Sequence, residues 1–375
     1  MTKKLGVVAL ARPENGGTYQ YTLSTLSALQ HLTGFDITLY ANPSNPDFLN
    51  LGFRVVPFKE PRYRQFIALL AYRMGLKLAD PFAAEDVLLA PIYSLSLLHT
   101  RKPSAFTLHD VQERNLPDNF SRGQRLWRNQ ANAALLERAS KVLCESVHVK
   151  ADLISSFGVP AGQVEVVAAP PQRQFRVNLS DDELRVVRER LRLPSRFLFY
   201  PAQFWTHKNH LRLIDAFGEV RKQAGDLKLV LTGKARDEYS KVMEHVQAKG
   251  LAQDVLHVGF VELHELQAIY QLACTMVMPS LFESISIPIY EAFQVGTPVV
   301  ASDIPGVSEQ VGDAAVLFDP TSVASMKDAI LKVVMDPELA QDLVAKGRRR
   351  MSLTTPEHYA ARLQSLLEGL LRAEA

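Results

Sequence analysis

Short, unbroken apolar runs of strand length alternate along this chain with stretches whose apolar residues recur at helical spacing. Leu5–Ala11, Phe35–Tyr40, Phe53–Pro57, Val87–Ala90, Ser104–Leu108, Lys141–Cys144 and Val164–Ala168 are predicted as buried parallel strands. Helical patterns separate them: one opened by Gly16-Gly17, one over Pro61–Leu78, and others around Trp127–Ala139 and Val149–Phe157. After Pro170-Pro171 the segment RQFRVNLSDDELRVVRERLRLPSR is charged and polar, which predicts a linker followed by an external helix. The alternation then restarts. Strands are predicted at Phe197–Pro201, Leu227–Thr232, Val255–Val258 and Thr275–Met278, with helices at Asp237–Lys249 and Leu263–Leu272. A last helix is predicted over Pro356–Leu371. Strand and helix alternating twice over predict an α/β chain of two doubly wound, Rossmann-like domains facing a cleft. The expected boundaries are 1–173, 174–355 and a closing helix in 356–375 that braces the two.

Composition adds little to that picture but removes some alternatives. The 375 residues suffice for two separate cores, and 47% hydrophobic with 22% charged is ordinary for a globular protein. A formal net charge of +2 argues against a dedicated nucleic-acid binder. Residues 1–173 carry 19 Lys+Arg against 14 Asp+Glu, and the remainder 23 against 26. This mild basic bias suits a surface that meets anionic lipid or phosphate, and scatter alone also produces it. Cys144 and Cys274 sit in apolar runs without metal spacing and read as buried, reduced thiols. The opening apolar run is short for a signal peptide, and no stretch reaches the roughly 18 apolar residues of a membrane span. A cytoplasmic protein is expected.

Candidate chemistry concentrates in PSLFESISIPIYEAFQVGTPVVAS, Pro279–Ser302. Glu283 and Glu291 stand eight positions apart with Pro288 between them, so one continuous helix is disfavoured. The reading is a loop carrying Glu283, then a helix with Pro288 in its first turn, ended by Gly296. The backbone N–H groups of Ser284 to Ile289 are then expected to be largely free at a helix N-terminus, an anion site. Lys208-Asn209, before another helix, offers a cation that can meet phosphate, or an ordinary surface charge. Gly16-Gly17 and His109-Asp110 follow the carboxyl ends of predicted strands, where doubly wound sheets bind ligands. A tight turn and a structural histidine are the plain alternatives. The Pro61–Leu78 segment reads either as a core-packed helix with a charged outer face or as a helix lying on an anionic membrane.

With FYPAQFWTHKNHLRLIDAF, HVGFVELHELQAIYQLA and MPSLFESISIPIYEAFQVGTPVVAS in this order, the chain resembles glycosyltransferase family 4. These are retaining, nucleotide-sugar-dependent enzymes of the GT-B fold. The resemblance spans the chain and is most specific from about Phe197 to Pro320, above all in the glutamates of the E-x(7)-E signature. It implies that Glu291 holds the ribose hydroxyls and that Glu283 contacts the donor sugar. Ser284, Ile285, Ser286 and Ile287 would offer amides to sugar and diphosphate, and Lys208 would carry diphosphate charge. Gly259, Phe260 and Val261 would border the base, Gly233 would lie in the donor site, Gly16 and Gly17 would approach donor and acceptor, and His109 would reach the transferred sugar.

Two departures stand out. Gln203 occupies the place where many members have an arginine paired with the lysine, so fewer cations are expected at the leaving group unless another basic residue substitutes. Ile285-Ser286 replaces the usual Phe-Gly after the first glutamate. The implied reaction is transfer of a hexose, first expected to be mannose from GDP-mannose, to a saccharide or lipid-linked saccharide in surface polysaccharide assembly. No D-x-D arrangement or metal-spaced cluster is seen, so no metal and no other cofactor is expected. A peripheral contact with an anionic membrane at the inner face of the cytoplasmic membrane goes with that acceptor. A sugar-nucleotide epimerase of similar fold and a non-catalytic nucleotide-sugar-binding subunit are the competing readings.

Overall fold

Leu5, Val7 and Ala9 of the first strand face one core of their sheet and Val8 faces the other. Val87 and Leu89 divide from Leu88 and Ala90 in the same way. This two-residue alternation between two apolar layers explains why these runs are unbroken: a sheet covered on both faces has no polar side. The computed structural model describes residues 2–171 and 178–373. Residues 172–177, which include the first residues of the expected linker, lie outside the described residues. The chain divides into two units, 1–172 with 354–375, and 173–353.

The first unit is built on seven parallel strands: β1 (Lys3–Ala9), β2 (Phe35–Ala41), β3 (Arg54–Pro57), β4 (Val87–Ala90), β5 (Ser104–Thr107), β6 (Lys141–Cys144) and β7 (Val164–Val166). Their order is β3-β2-β1-β4-β5-β6-β7. β1 pairs with β2 from Lys3↔Phe35 and with β4 from Leu5↔Val87, so the winding reverses between β1 and β4. The second unit carries β8 (Phe197–Pro201), β9 (Lys228–Thr232), β10 (Val255–His257), β11 (Thr275–Met278), β12 (Val299–Ser302) and β13 (Val316–Phe318). Their order is β10-β9-β8-β11-β12-β13, with the reversal between β8 and β11. Loops leaving the carboxyl ends of strands at such a reversal diverge and leave room for a ligand.

Capping sets the helix limits more sharply than periodicity does. The helix expected around Trp127–Ala139 begins earlier, at Arg122, because Ser121 and Gln124 form a reciprocal capping box. The helix expected over Pro61–Leu78 ends at Arg73, just before Gly75 takes a positive φ. β1 runs over Lys3–Ala9 and not to Ala11, its first two residues exposed.

The last helix, Pro356–Ala373, packs into the first unit, where Tyr359, Leu363, Leu367 and Leu370 join the β1 core. Tyr359 also donates its hydroxyl to that of Tyr21 at 3.0 Å. This closing helix is thus part of the first unit's core. No helix among the described residues is long and apolar enough to cross a membrane.

Candidate active site

The reversal in the second unit brings together the loops after β8 and β11. The β8 loop makes a 3-10 turn, Thr206–Lys208, and then passes through Asn209 in the left-handed region, φ 59°. A non-glycine residue there is strained unless its side chain compensates. The buried Asn209 amide does so, donating to the carbonyls of Pro279 at 2.9 Å and Pro320 at 2.8 Å. The Leu281 amide donates to the His207 carbonyl at 2.8 Å, and Tyr200 donates to the Lys208 carbonyl at 2.8 Å. Lys208 is thereby held with Nζ 2.5 Å from Glu283 Oε1, both side chains mostly buried. The two sequence-predicted groups from separate loops form one ion pair. Behind them His210 is stacked on Phe204. Burial, with the charges of Lys208, His257 and His207, lowers its pKa to about 3, so it stays neutral.

The signature stretch then enters the helix Ile287–Val295, with Pro288 in its first turn and Gly296 as the left-handed cap, as read from the sequence. One expectation needs correction. The Ser286 amide is not free: it donates to Gln310 Oε1 at 2.8 Å, while Gln310 Nε2 donates to the Ser286 carbonyl at 2.7 Å. The Ile289 amide is also used, donating to the Ser286 carbonyl. Ser284, Ile285 and Ile287 lie outside this clamp. Ser286 contributes instead a buried hydroxyl with no hydrogen-bond partner among the described residues. Beneath the loop, a Cβ on Gly306 would lie 2.4 Å from the Glu283 carbonyl oxygen and 2.6 Å from that of Ser284. Only glycine lets the backbone pass there.

Glu291, one turn into the helix, accepts a 2.8 Å hydrogen bond from Tyr270. Burial raises its pKa to about 7, although the Tyr270 bond pulls the other way. A carboxyl poised there gains from any further hydroxyl donor, because each one favours the ionised form.

The other sites lie along the same edge of the sheet. Gly233, φ 122°, sits so close to the β8 loop that a Cβ would meet the Ala202 carbonyl oxygen at 2.3 Å. Its amide donates to the Gly259 carbonyl at 2.9 Å, linking the loops after β9 and β10. Lys234 Nζ lies 5.2 Å over the ring of Phe260, which is 73% exposed, and Val261 is partly buried. Gln203 Oε1 accepts from Arg236 Nε at 3.1 Å, and the Arg236 guanidinium lies 5.5 Å over the Trp205 ring. Arg236, Gln310, Tyr270 and Gly306 were not singled out from the sequence. Their signals are distributed: none sits in a run with the residue it serves, and only the fold joins them.

In the first unit, Gly16 takes φ 60° in the loop after β1, and Gly17 opens the helix Gly17–Leu29 with open space at its Cα. His109 Nδ1 lies 2.8 Å from Glu145 Oε2 and Nε2 lies 3.1 Å from the Pro91 carbonyl. Both partners are acceptors, an arrangement that favours the doubly protonated imidazole. Burial opposes that charge, but the hydrogen bond and charge of Glu145, with Asp110 and the Pro91 carbonyl, outweigh it and raise the pKa. Tyr21 stands edge-on to the ring at 4.6 Å. His109 thus reaches no ligand without giving up one of these bonds. Among the described residues, no group of three or more His, Cys, Asp or Glu side chains is gathered in a metal-binding arrangement.

Comparison with known proteins agrees with this geometry. The family profile of glycosyl transferases group 1 matches residues 184–350, and that of Glycosyltransferase Family 4 matches 15–170. The chain is 25% identical to the O-antigen chain mannosyltransferase RfbU of Salmonella typhimurium, over 88% of this chain and 92% of the relative. It is 23% identical to O-antigen chain mannosyltransferase B of Escherichia coli, over 76% and 75%. Sucrose-phosphate synthase from Thermosynechococcus elongatus superposes with a TM-score of 0.77 at 20% identity, covering 99% of this chain and 100% of that one. The Anabaena HepE protein in complex with UDP-glucose superposes with a TM-score of 0.75 at 18% identity, covering 97% and 100%. Two profiles that together span most of the chain, on two reversed parallel sheets of the GT-B fold, place it: this chain belongs to the group 1, family 4 glycosyltransferases, a family of retaining hexosyltransferases.

Proposed function

We propose that this glycosyltransferase moves a hexose, mannose before others, from a nucleoside diphosphate sugar to a hydroxyl of a saccharide or lipid-linked saccharide in surface polysaccharide assembly. The observation that carries the reading is the meeting of Lys208 and Glu283 at the β8–β11 reversal, with Glu291 one helix turn on. Two relatives named as O-antigen chain mannosyltransferases support the sugar and the pathway class.

In this reading Glu291 takes the ribose hydroxyls and Lys208 meets the diphosphate. Glu283 orients the sugar, and the amides of Ser284, Ile285 and Ile287 add donors at the positive end of the helix. The anomeric C–O bond to the diphosphate breaks and an acceptor hydroxyl forms the new bond from the same face. Its proton passes to the departing phosphate oxygen. Charge grows on that oxygen, so fixed cations and amides there supply most of the stabilisation. Gly233, Phe260 and Val261 border the nucleoside, and Gly16 and Gly17 belong to the sugar and acceptor side. His109 serves the sugar by releasing the Pro91 carbonyl while Nδ1 keeps Glu145. The test is a panel of nucleoside diphosphate sugars with and without acceptor. Acceptor-dependent release of one diphosphate supports the reading, and release that needs no acceptor contradicts it.

The acceptor side draws on the helix Arg62–Arg73. Ala68, Leu69 and Ala71 bury one face, while Tyr63, Phe66, Ile67, Leu70 and Met74 stay exposed, Phe66 at 58% and Met74 at 64%. Exposed Arg62, Arg64, Arg73 and Lys77 surround them. Apolar side chains ringed by cations suit the surface of an anionic membrane, where a lipid-linked acceptor resides. Vesicle flotation at low salt tests it: preference for anionic over neutral vesicles supports the contact, and equal binding removes it.

A further inference from the structure

We infer that Arg236 supplies the second cation for the donor's diphosphate, in place of the arginine that Gln203 replaces. The inference rests on the donor-site reading above. Gln203 is not simply a lost charge. Its side-chain carbonyl holds Arg236 Nε at 3.1 Å, and the guanidinium plane rests over Trp205. With Nε and one face engaged, the two Nη nitrogens form the end of the fork that matches phosphate oxygens. An arginine at 203 would set two guanidinium groups against each other. A glutamine there removes one charge and orients the other.

Position supports the assignment. Arg236 follows β9, the strand beside β8 in the sheet. Its loop is tied to the β8 loop by the Glu238 amide donating to the Phe204 carbonyl at 3.2 Å, and by the close approach of Gly233 to Ala202. Trp205 connects the two cations directly: its ring lies under Arg236, and its carbonyl accepts from the Lys208 amide at 2.9 Å. Lys208 and Arg236 therefore stand on two adjoining, tied loops at the carboxyl edge of the sheet. Lys234, the other cation of this segment, lies over Phe260 at the neighbouring strand end.

Calorimetric titration with GDP, UDP, guanosine and uridine tests this in four chains: wild type, Arg236→Gln, Arg236→Lys, and Arg236→Gln with Gln203→Arg. For whichever diphosphate the wild type binds, Arg236→Gln should weaken affinity about tenfold and leave the matching nucleoside unchanged. Arg236→Lys, which keeps the charge without the fork, should lose less, and the double variant should recover most of the loss. Unchanged diphosphate affinity in Arg236→Gln would overturn the inference, as would an equal loss for nucleoside and diphosphate. A wild type that binds neither diphosphate would overturn the donor-site reading itself, and this inference with it.

Discussion

Lys208 Nζ and Glu283 Oε1 stand 2.5 Å apart, although 75 positions separate them in the chain. Each is the other's counter-charge in a mostly buried place, so neither can be removed without stranding its partner. In the proposed role, a diphosphate approaching Lys208 would compete with Glu283 for the same ammonium. The pair holds the lysine in place, and in that role it would also set a threshold that an anionic ligand must exceed.

Removing one member should separate binding from turnover. Glu283→Gln should keep or tighten nucleoside diphosphate binding, because Lys208 loses its competitor, while kcat falls. Lys208→Ala should lower turnover by about a hundredfold or more, the usual effect of deleting one donor at a developing anion. Steady-state kinetics beside calorimetry checks both. Unaltered kcat in Glu283→Gln would contradict the role given to that carboxylate.

With Glu291 in its proposed role, nucleotide binding should depend on pH. Its pKa is raised to about 7 by burial, and ribose hydroxyls favour the ionised form, so affinity should fall as pH drops below about 7. Binding there should release a proton. Glu291→Gln should bind more weakly at pH 8 and show a flat profile.

The same carboxyl also gives a stability signature. The folded state binds more protons than the unfolded chain between the ordinary carboxylate range and pH 7, so this group costs stability as pH rises through that window. The Tm of Glu291→Gln relative to wild type should therefore rise with pH up to about 7 and level off above it. Scanning calorimetry at several pH values reads this directly.

His109 and Glu145 give a pH dependence of the same sign from a different cause. The raised His109 pKa contributes stability that is fully present below the ordinary histidine value and lost as pH rises through the folded one. Glu145→Gln removes the carboxylate that outweighs burial, so the His109 pKa should fall below its ordinary value. NMR titration of the imidazole measures it, and an unchanged pKa would dismiss Glu145 as the cause.

Gly306→Ala probes the floor under the signature loop. Its new methyl would press on the carbonyls of Glu283 and Ser284, so a loss of about 1–3 kcal/mol of stability is expected, with a larger fall in activity than in Tm. A fully active, equally stable variant would show that the loop has more room than the geometry gives it.

Much of this was legible in the chain. Runs such as Val87–Ala90 announce strands buried on both faces, and Pro288 with Gly296 brackets the signature helix because both act through local backbone limits. The glutamates and Lys208 stood out through the family resemblance, because their spacing alone also fits solvated charges and says nothing of their meeting. What escaped was everything that depends on a distant partner. The Gln310 side chain takes the Ser286 amide from another helix. Arg236 reaches Gln203 across a strand crossover, and Glu145 decides the charge of His109 from the neighbouring strand end. Helix limits shifted wherever a cap such as Ser121 overrode the apolar rhythm.

The most direct measurement is acceptor-dependent release of GDP from GDP-mannose by wild type and by Lys208→Ala, run beside UDP-sugars. Release by the wild type that needs acceptor and falls about a hundredfold or more in the variant is the predicted result. Equal release by both chains, or release indifferent to acceptor, would contradict transfer at the Lys208–Glu283 site.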